Sequence, residues 1–150
     1  MEALSVIDNK KENQKKYILF KVNDGNYGID INSVNSIIQM PHITEMPMTP
    51  DHYKGIIDLR GQIVPIVSVR KRIDFESEDV YTKDSRIIIT EIEKDTKLGF
   101  IVDSVQEVIT IPNDEIKESS PFLKGKRTMI SGVGKVNDNL VSIFDIEMLA

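Results

Sequence analysis

The chain has 150 residues, 40% of them hydrophobic and 29% charged, with 19 basic side chains against 24 acidic and a net charge of −5. That length and balance describe a folded chain with one ordinary core or two small ones, not a disordered tail. Several classes are excluded at once. Without cysteine there are no disulfides, thiolate metal sites or cysteine nucleophiles, and the acid excess opposes tight binding to a nucleic-acid backbone. The longest apolar runs, Ile87-Ile88-Ile89 and Ile63 to Val67, fall far short of the roughly 18 residues of a membrane span.

Residues 1–15 are polar in their second half and carry no stretch of signal-peptide character, so a mobile leader is expected. Tyr17 to Val22 is aromatic and β-branched and stops at Asn23-Asp24-Gly25-Asn26, a hairpin turn signal, after which Tyr27-Gly28-Ile29-Asp30-Ile31 returns as a second strand. Asn32 to Met40 fits either period and is read as a turn entering a strand. Pro41, Pro47 and Pro50 prevent a helix through the next segment, and Thr49-Pro50-Asp51 could cap one short turn ending at Gly55. Gly55 to Val69 reads as strand, tight turn, strand, with Pro65 placing the second at an edge or a bulge. Asp74 to Asp84 is acidic and aperiodic, a boundary. Strands follow at Arg86 to Glu93 and Lys97 to Val102, and Asp145 could cap a short C-terminal helical turn ending at Ala150.

The second half repeats the first. Tyr27 to Ile37 aligns without a gap on Leu98 to Val108, 71 residues later, with the Gly, Ser and Val positions identical, and the same offset pairs Pro41 with Pro112 and Pro50 with Pro121. Gly55 to Val69 aligns on Gly132 to Ile146 at an offset of 77. An all-β fold of two small five-stranded barrels is therefore expected, a first half over 16–75 and a second over 86–150, joined by a connector at 76–85. Closure of each barrel would remove exposed sheet edges and leave a recognition groove between the two.

Signals for chemistry are weak. The only histidines, His42 and His52, sit in the proline-rich segment without a nucleophile or metal-ligand spacing beside them. Phosphate-cradling glycine motifs are absent; Gly132-Val133-Gly134 reads as a strand that permits close backbone packing. Glu91 and Glu93 fit an exposed strand face, and Asp114 and Glu115 a loop. Arg70-Lys71-Arg72 could touch RNA but lacks the interleaved aromatics that stack on single strands, so charge protection of an edge explains it more simply. The function is thus expected in surfaces, with Ile43, Met46 and Met48 the apolar residues left half exposed by the patterning. A loop folding over the core accounts for them equally well.

Gly55-Ile56-Ile57-Asp58-Leu59-Arg60-Gly61-Gln62-Ile63-Val64-Pro65-Ile66-Val67 resembles the signature of CheW-type coupling proteins, G-x-x-N-L-R-G-x-[IV]-[IVL]-P-[IV]-[IVL], and similar blocks fall at Tyr27 to Ile31, Ile43 to Pro47 and Thr49-Pro50. The resemblance spans about residues 16–149. It implies a non-catalytic, cofactor-free scaffold of two five-stranded barrels, cytoplasmic and recruited to membrane-associated arrays through its partners. A chemoreceptor tip would bind between the barrels, and the regulatory domain of the chemotaxis histidine kinase through the first. By the same resemblance Val34, Ser36, Gly55, Arg60 and Val105 would contact the receptor, and Ile43, Met46 and Met48 are assigned to the kinase.

Three positions depart from the family pattern: Asp58 stands where Asn is usual, Ser36 where an acid is common and Glu45 where a base is frequent. Loss of the acid at Ser36 removes one partner of Arg60, and Asp58 or Glu45 could replace it. Arg60 itself could pin a partner protein or close an intramolecular salt bridge. With no receiver segment after Ala150, a plain coupling protein is expected over a receiver-fused one. A nucleic-acid-binding β-barrel is the alternative, opposed by the charge.

Overall fold

A computed structural model describes residues 14–74, 76–118 and 129–146. Among these residues eleven strands run in the order β1 (Gln14–Val22), β2 (Gly25–Asp30), β3 (Val34–Gln39), β4 (Tyr53–Leu59), β5 (Gln62–Ser68), β6 (Arg86–Glu93), β7 (Thr96–Val102), β8 (Ser104–Pro112), β9 (Lys117–Glu118), β10 (Ile130–Val136) and β11 (Asn139–Phe144), with a short helix α1 (Val69–Ile73) after β5. The expected leader lies outside the described residues up to 13, and Gln14 and Lys15 already belong to β1. From residue 147 on, the expected C-terminal turn also lies outside them.

The strands form two sheets, β8-β1-β2-β11-β10-β9 and β3-β6-β7-β5-β4. Each sheet therefore takes strands from both halves of the sequence, and the expectation that each half closes its own barrel is corrected. β1 and β2 join the last strands of the chain, while β6 and β7 join β3, β4 and β5. The sequence repeat reappears as a repeat of pairing. Ile18 opposes Val108 as Ile88 opposes Ile37, and Gly28 opposes Ile143 in a parallel pair as Gly99 opposes Ile66. A Cβ on Gly28 would stand 3.0 Å from Ile143 Cδ1, and one on Gly99 2.6 Å from Ile66 Cδ1, so both glycines make room for the isoleucine opposite.

Neither sheet closes into a barrel among the described residues, because the edge strands β3 and β4 share no ladder, nor do β8 and β9. Between β3 and β4 the prolines remove amide donors, and only Thr44 bridges to Ile56, its N–H and C=O both bonded at 2.9 Å. In the other sheet β9 occupies the corresponding place, pairing Lys117 with Val133.

Pro65 is not at an edge either, since β5 lies between β7 and β4. Its position follows from hydrogen-bond parity. Ile56, opposite Pro65, turns its polar groups outward to Thr44, so this is a non-hydrogen-bonded pair and β4 asks no donor of Pro65. The ladder to β7 begins one residue later, at Ile66. The turn expected to end at Gly55 ends earlier, with Tyr53 N donating to Pro50 O, and Gly55 lies inside β4.

Among the described residues the core divides into three apolar clusters. Ile18, Phe20, Val22 and Ile29 from the first sheet meet Val67, Ile88, Leu98 and Phe100 from the second in a shared core. Behind it the second sheet buries Ile57, Val64, Ile66, Ile87, Ile89 and Ile101, and the first buries Tyr17, Leu19, Ile111, Val141 and Ile143. The sheets are thus covered on both faces, which is why Tyr17 to Phe20 and Ile87 to Ile89 are uninterrupted apolar runs instead of alternating ones.

Candidate partner-docking surfaces

Arg60 and Gly61 form the two-residue turn between β4 and β5, both at positive φ, 53° and 85°. That is the left-handed pair a tight hairpin requires, for which Asn and Gly are the usual residues. The matching turn between β10 and β11 uses Asn137 and Asp138, also at positive φ. Asp58 Oδ1 accepts from Gly61 N at 2.8 Å and braces the turn, a role an asparagine oxygen would fill as well.

A cleft of about 560 Å³ opens between this turn and β3, bringing Ser36 and Arg60 together with Asn35, Ile37, Gln62 and Lys97. Lys97 Nζ donates to Gln62 Oε1 at 2.7 Å. Arg60 is exposed, and no ion pair or hydrogen bond engages its side chain among the described residues. The intramolecular salt bridge therefore does not form there: Asp58 is committed to the turn, and Glu45 lines a different cleft.

The other expected receptor residues are placed differently. Val34 and Val105 are half-buried against the shared core. Each lies beside a bulge in the edge strand of its own sheet, Val34 opposite Thr90 and Val105 opposite Phe20. Gly55 is buried, with φ 143°, and a Cβ there would stand 2.0 Å from Thr44 O. It presents no surface; its part is to let the segment after β3 lie against β4.

That segment carries Ile43, Met46 and Met48, and the two accounts of them divide. Ile43 folds over the core of the second sheet, while Met46 is 47% exposed and Met48 fully so. Beside them a cleft of about 430 Å³ is lined by Met40, His42, Ile43, Glu45, Lys54, Asp79 and Tyr81.

Sequence reasoning missed Asp79, in the acidic connector. Ser68 Oγ caps α1 by accepting from Lys71 N at 3.1 Å and donates to Asp79 Oδ1 at 2.5 Å, while Asp79 Oδ2 pairs with Lys54. The connector is thus tied to β4 and β5, not simply solvated. Only its spacing from a cation and a cap in the fold marks Asp79, and neither is visible in composition.

Burial, and then the charge of Asp79, push the Tyr81 phenol up to about 12. Because the folded value lies above the ordinary 10, the contribution of Tyr81 to stability is complete below pH 10 and lost as pH rises through about 12. Asp79→Asn is expected to move the Tyr81 titration back toward 10, read by tyrosinate absorbance against a Tyr81→Phe reference; an unchanged titration would remove Asp79 from the account.

His52 packs against Tyr53 with the two rings tilted at 41°, and burial together with the nearby Arg72 charge lowers its pKa from the ordinary 6.5. Neither histidine has a nucleophile bonded to it, and no group of three metal-ligating side chains occurs among the described residues. Arg70, read from sequence as edge protection, instead bonds Asp103 at 2.5 Å, and Lys71 and Arg72 also have partners within the protein.

A family model described as the CheW-like domain matches residues 16–150. The chain belongs to the CheW-like family. Among curated CheW-family relatives, a "Chemotaxis protein CheW" of Bacillus subtilis is 35% identical over 133 residues, covering 87% of this chain and 83% of that one. One of Helicobacter pylori is 30% identical, covering 88% and 79%. The crystal structure of the scaffolding protein TtCheW from Thermoanaerobacter tengcongensis superposes with a TM-score of 0.79 at 36% identity, covering 90% of this chain and 86% of that one. No helix among the described residues is long and apolar enough to cross a membrane.

Proposed function

We propose that this protein is a non-catalytic scaffold that couples chemoreceptors to the chemotaxis histidine kinase, held in the cytoplasm at membrane-associated arrays by those partners. The observation that carries this reading is the presence of two separate surfaces on one rigid β framework. One is the cleft of Ser36 and Arg60; the other is the exposed pair Met46 and Met48, on a segment that does not line that cleft. The names of the relatives, chemotaxis proteins and a scaffolding protein, support it. The cleft, with Val34 and Val105 near the seam between the sheets and Gly55 behind, is assigned to the receptor. The methionine segment, seated on Ile43, is assigned to the kinase regulatory domain. Exposed methionines suit the second role because their side chains adapt to a partner at little cost in packing. The nucleic-acid alternative gains no support, since Arg70 of the basic triplet is spent on Asp103.

Calorimetric titration of the protein with the regulatory domain of a chemotaxis kinase from the same organism tests the assignment. Saturable 1:1 binding is expected, weakened at least about tenfold by Met46→Asp and little changed by Arg60→Ala. Failure of the unmodified protein to bind would overturn the coupling function, and equal loss with both variants would overturn the separation of the two surfaces.

A further inference from the structure

The protein has no cysteine, so the thioethers of its six methionines are its only sulfur, and no thiolate competes with them for a two-electron oxidant. Among the described residues the methionines are sheltered unequally. Met40 is partly buried against the core of the second sheet and Met129 against the shared core. Met46 is 47% exposed, and Met48, at 103%, is as open as in an extended chain.

The backbone keeps Met48 there. Pro47 and Met48 make a turn in which Met48 has φ 61°, the left-handed position after a proline where Gly or Asn is usual. Thr49 Oγ1 donates to Met46 O at 3.2 Å across that turn, and Pro50 restricts the chain beyond it. The segment is fastened on one side by the Thr44–Ile56 bridge and on the other by the bond from Tyr53 N to Pro50 O. A long apolar side chain is thus held out from a braced loop, so chemistry at its sulfur changes the surface without reaching the core.

We propose that Met48, followed by Met46, is a reversible oxidation site at which a hydroperoxide converts this surface from apolar to polar while the fold stays intact. The sulfur lone pair attacks one peroxide oxygen; the S–O bond forms as the O–O bond breaks, and the displaced oxygen takes up a proton and leaves as water or, from an organic hydroperoxide, as the alcohol. The thioether loses two electrons and the peroxide gains them. The sulfoxide keeps the length of the side chain but replaces a soft, adaptable contact with a strong hydrogen-bond acceptor. A dithiol reductant, acting through a methionine sulfoxide reductase, reverses the step, taking the oxygen away as water and ending as a disulfide. On the reading that this segment docks the kinase regulatory domain, on which this consequence rests, oxidation releases that partner and reduction restores it.

The whole protein is treated with dilute hydrogen peroxide, freed of it, and digested for mass spectrometry. Met48 is expected to gain oxygen first, at least about tenfold faster than Met40 and Met129, with the melting temperature unchanged once Met48 is fully oxidised. Oxidation of Met40 or Met129 at the rate of Met48, or a lowered melting temperature when only Met48 and Met46 are oxidised, would overturn the inference. These readouts need no partner. Calorimetric titration of the oxidised protein with the kinase regulatory domain is then expected to show affinity reduced about tenfold or more, restored by methionine sulfoxide reductase with dithiothreitol. A Met46→Leu, Met48→Leu double variant, whatever its own affinity, is expected to keep it through the same peroxide treatment; a loss there would move the effect to another methionine and overturn the assignment to this pair. If the untreated protein binds and oxidation leaves its affinity unchanged, the release is overturned while the docking assignment stands. If the untreated protein does not bind, the docking assignment falls, and the order of oxidation and the melting temperature still decide the modification site.

Discussion

Gly55→Ala is expected to lower stability by at least about 3 kcal/mol, enough to unfold the chain if its total is at the low end for a domain of this size. Two effects add. The backbone sits at φ 143°, which side chains rarely adopt, and the new Cβ would stand 2.0 Å from Thr44 O, a backbone atom held by the Thr44–Ile56 bridge. Neither strain can be relieved by turning a side chain, so the segment carrying Ile43 would have to lift from the core of the second sheet. Gly61→Ala is the control: φ is 85° but nothing lies within 4 Å, so only the conformational penalty of about 1–2 kcal/mol applies. Chemical denaturation of the two variants beside the parent measures both. A Gly55→Ala variant as stable as Gly61→Ala would show that the contact with Thr44 is not obligatory.

Arg70→Ala is expected to cost about 2–3 kcal/mol, the upper range for a paired charge that is partly screened. The Asp103 carboxylate lies where the chain passes from β7 into β8. Its Oδ2 accepts from Arg70 at 2.5 Å and from Asn23 N at 2.8 Å, tying α1 of the second sheet to the β1–β2 turn of the first. Removing Arg70 leaves Asp103 with a single donor, at a side-chain exposure of 27%. A double-mutant cycle with Asp103→Asn separates the pair from the loss of packing; a coupling energy near zero would show that the Arg70–Asp103 pair adds nothing to the link between the sheets.

Much of the strand content was legible because turn residues punctuate it: Asp24-Gly25, Arg60-Gly61 and the prolines after Met40 all fall at or near element boundaries. The repeat was legible for the same reason, since the glycines that allow an isoleucine to cross, Gly28 and Gly99, recur at one offset. What periodicity could not carry is which strands pair. The exchange of β1 and β2 with β6 and β7 is a choice of long-range partners, and the local pattern of a strand is the same beside either neighbour. The unbroken runs Tyr17 to Phe20 and Ile87 to Ile89 did hold a signal of burial on both faces, and with it of sheets packed together more closely than two separate barrels.

The docking surfaces were legible only in part. The signature placed Arg60 in a turn, Ser36 fell in the segment read as a turn entering a strand, and the cleft joins them. Gly55 belongs to the same signature for a packing reason, and Ile43 was separated from Met46 and Met48 by burial that composition does not reveal. Asp79 and Asp103 carry no mark in the sequence because their partners, Lys54, Ser68 and Arg70, come close only once the strands are paired.

The most direct test of the coupling function is co-sedimentation of the kinase with receptor-containing membranes, with and without this protein. The account predicts that the kinase sediments with the receptors only when the protein is present, and that Met46→Asp leaves the protein on the membranes but the kinase in the supernatant. Kinase and receptor competing for the protein, so that each displaces the other, would contradict two separate docking surfaces on one scaffold.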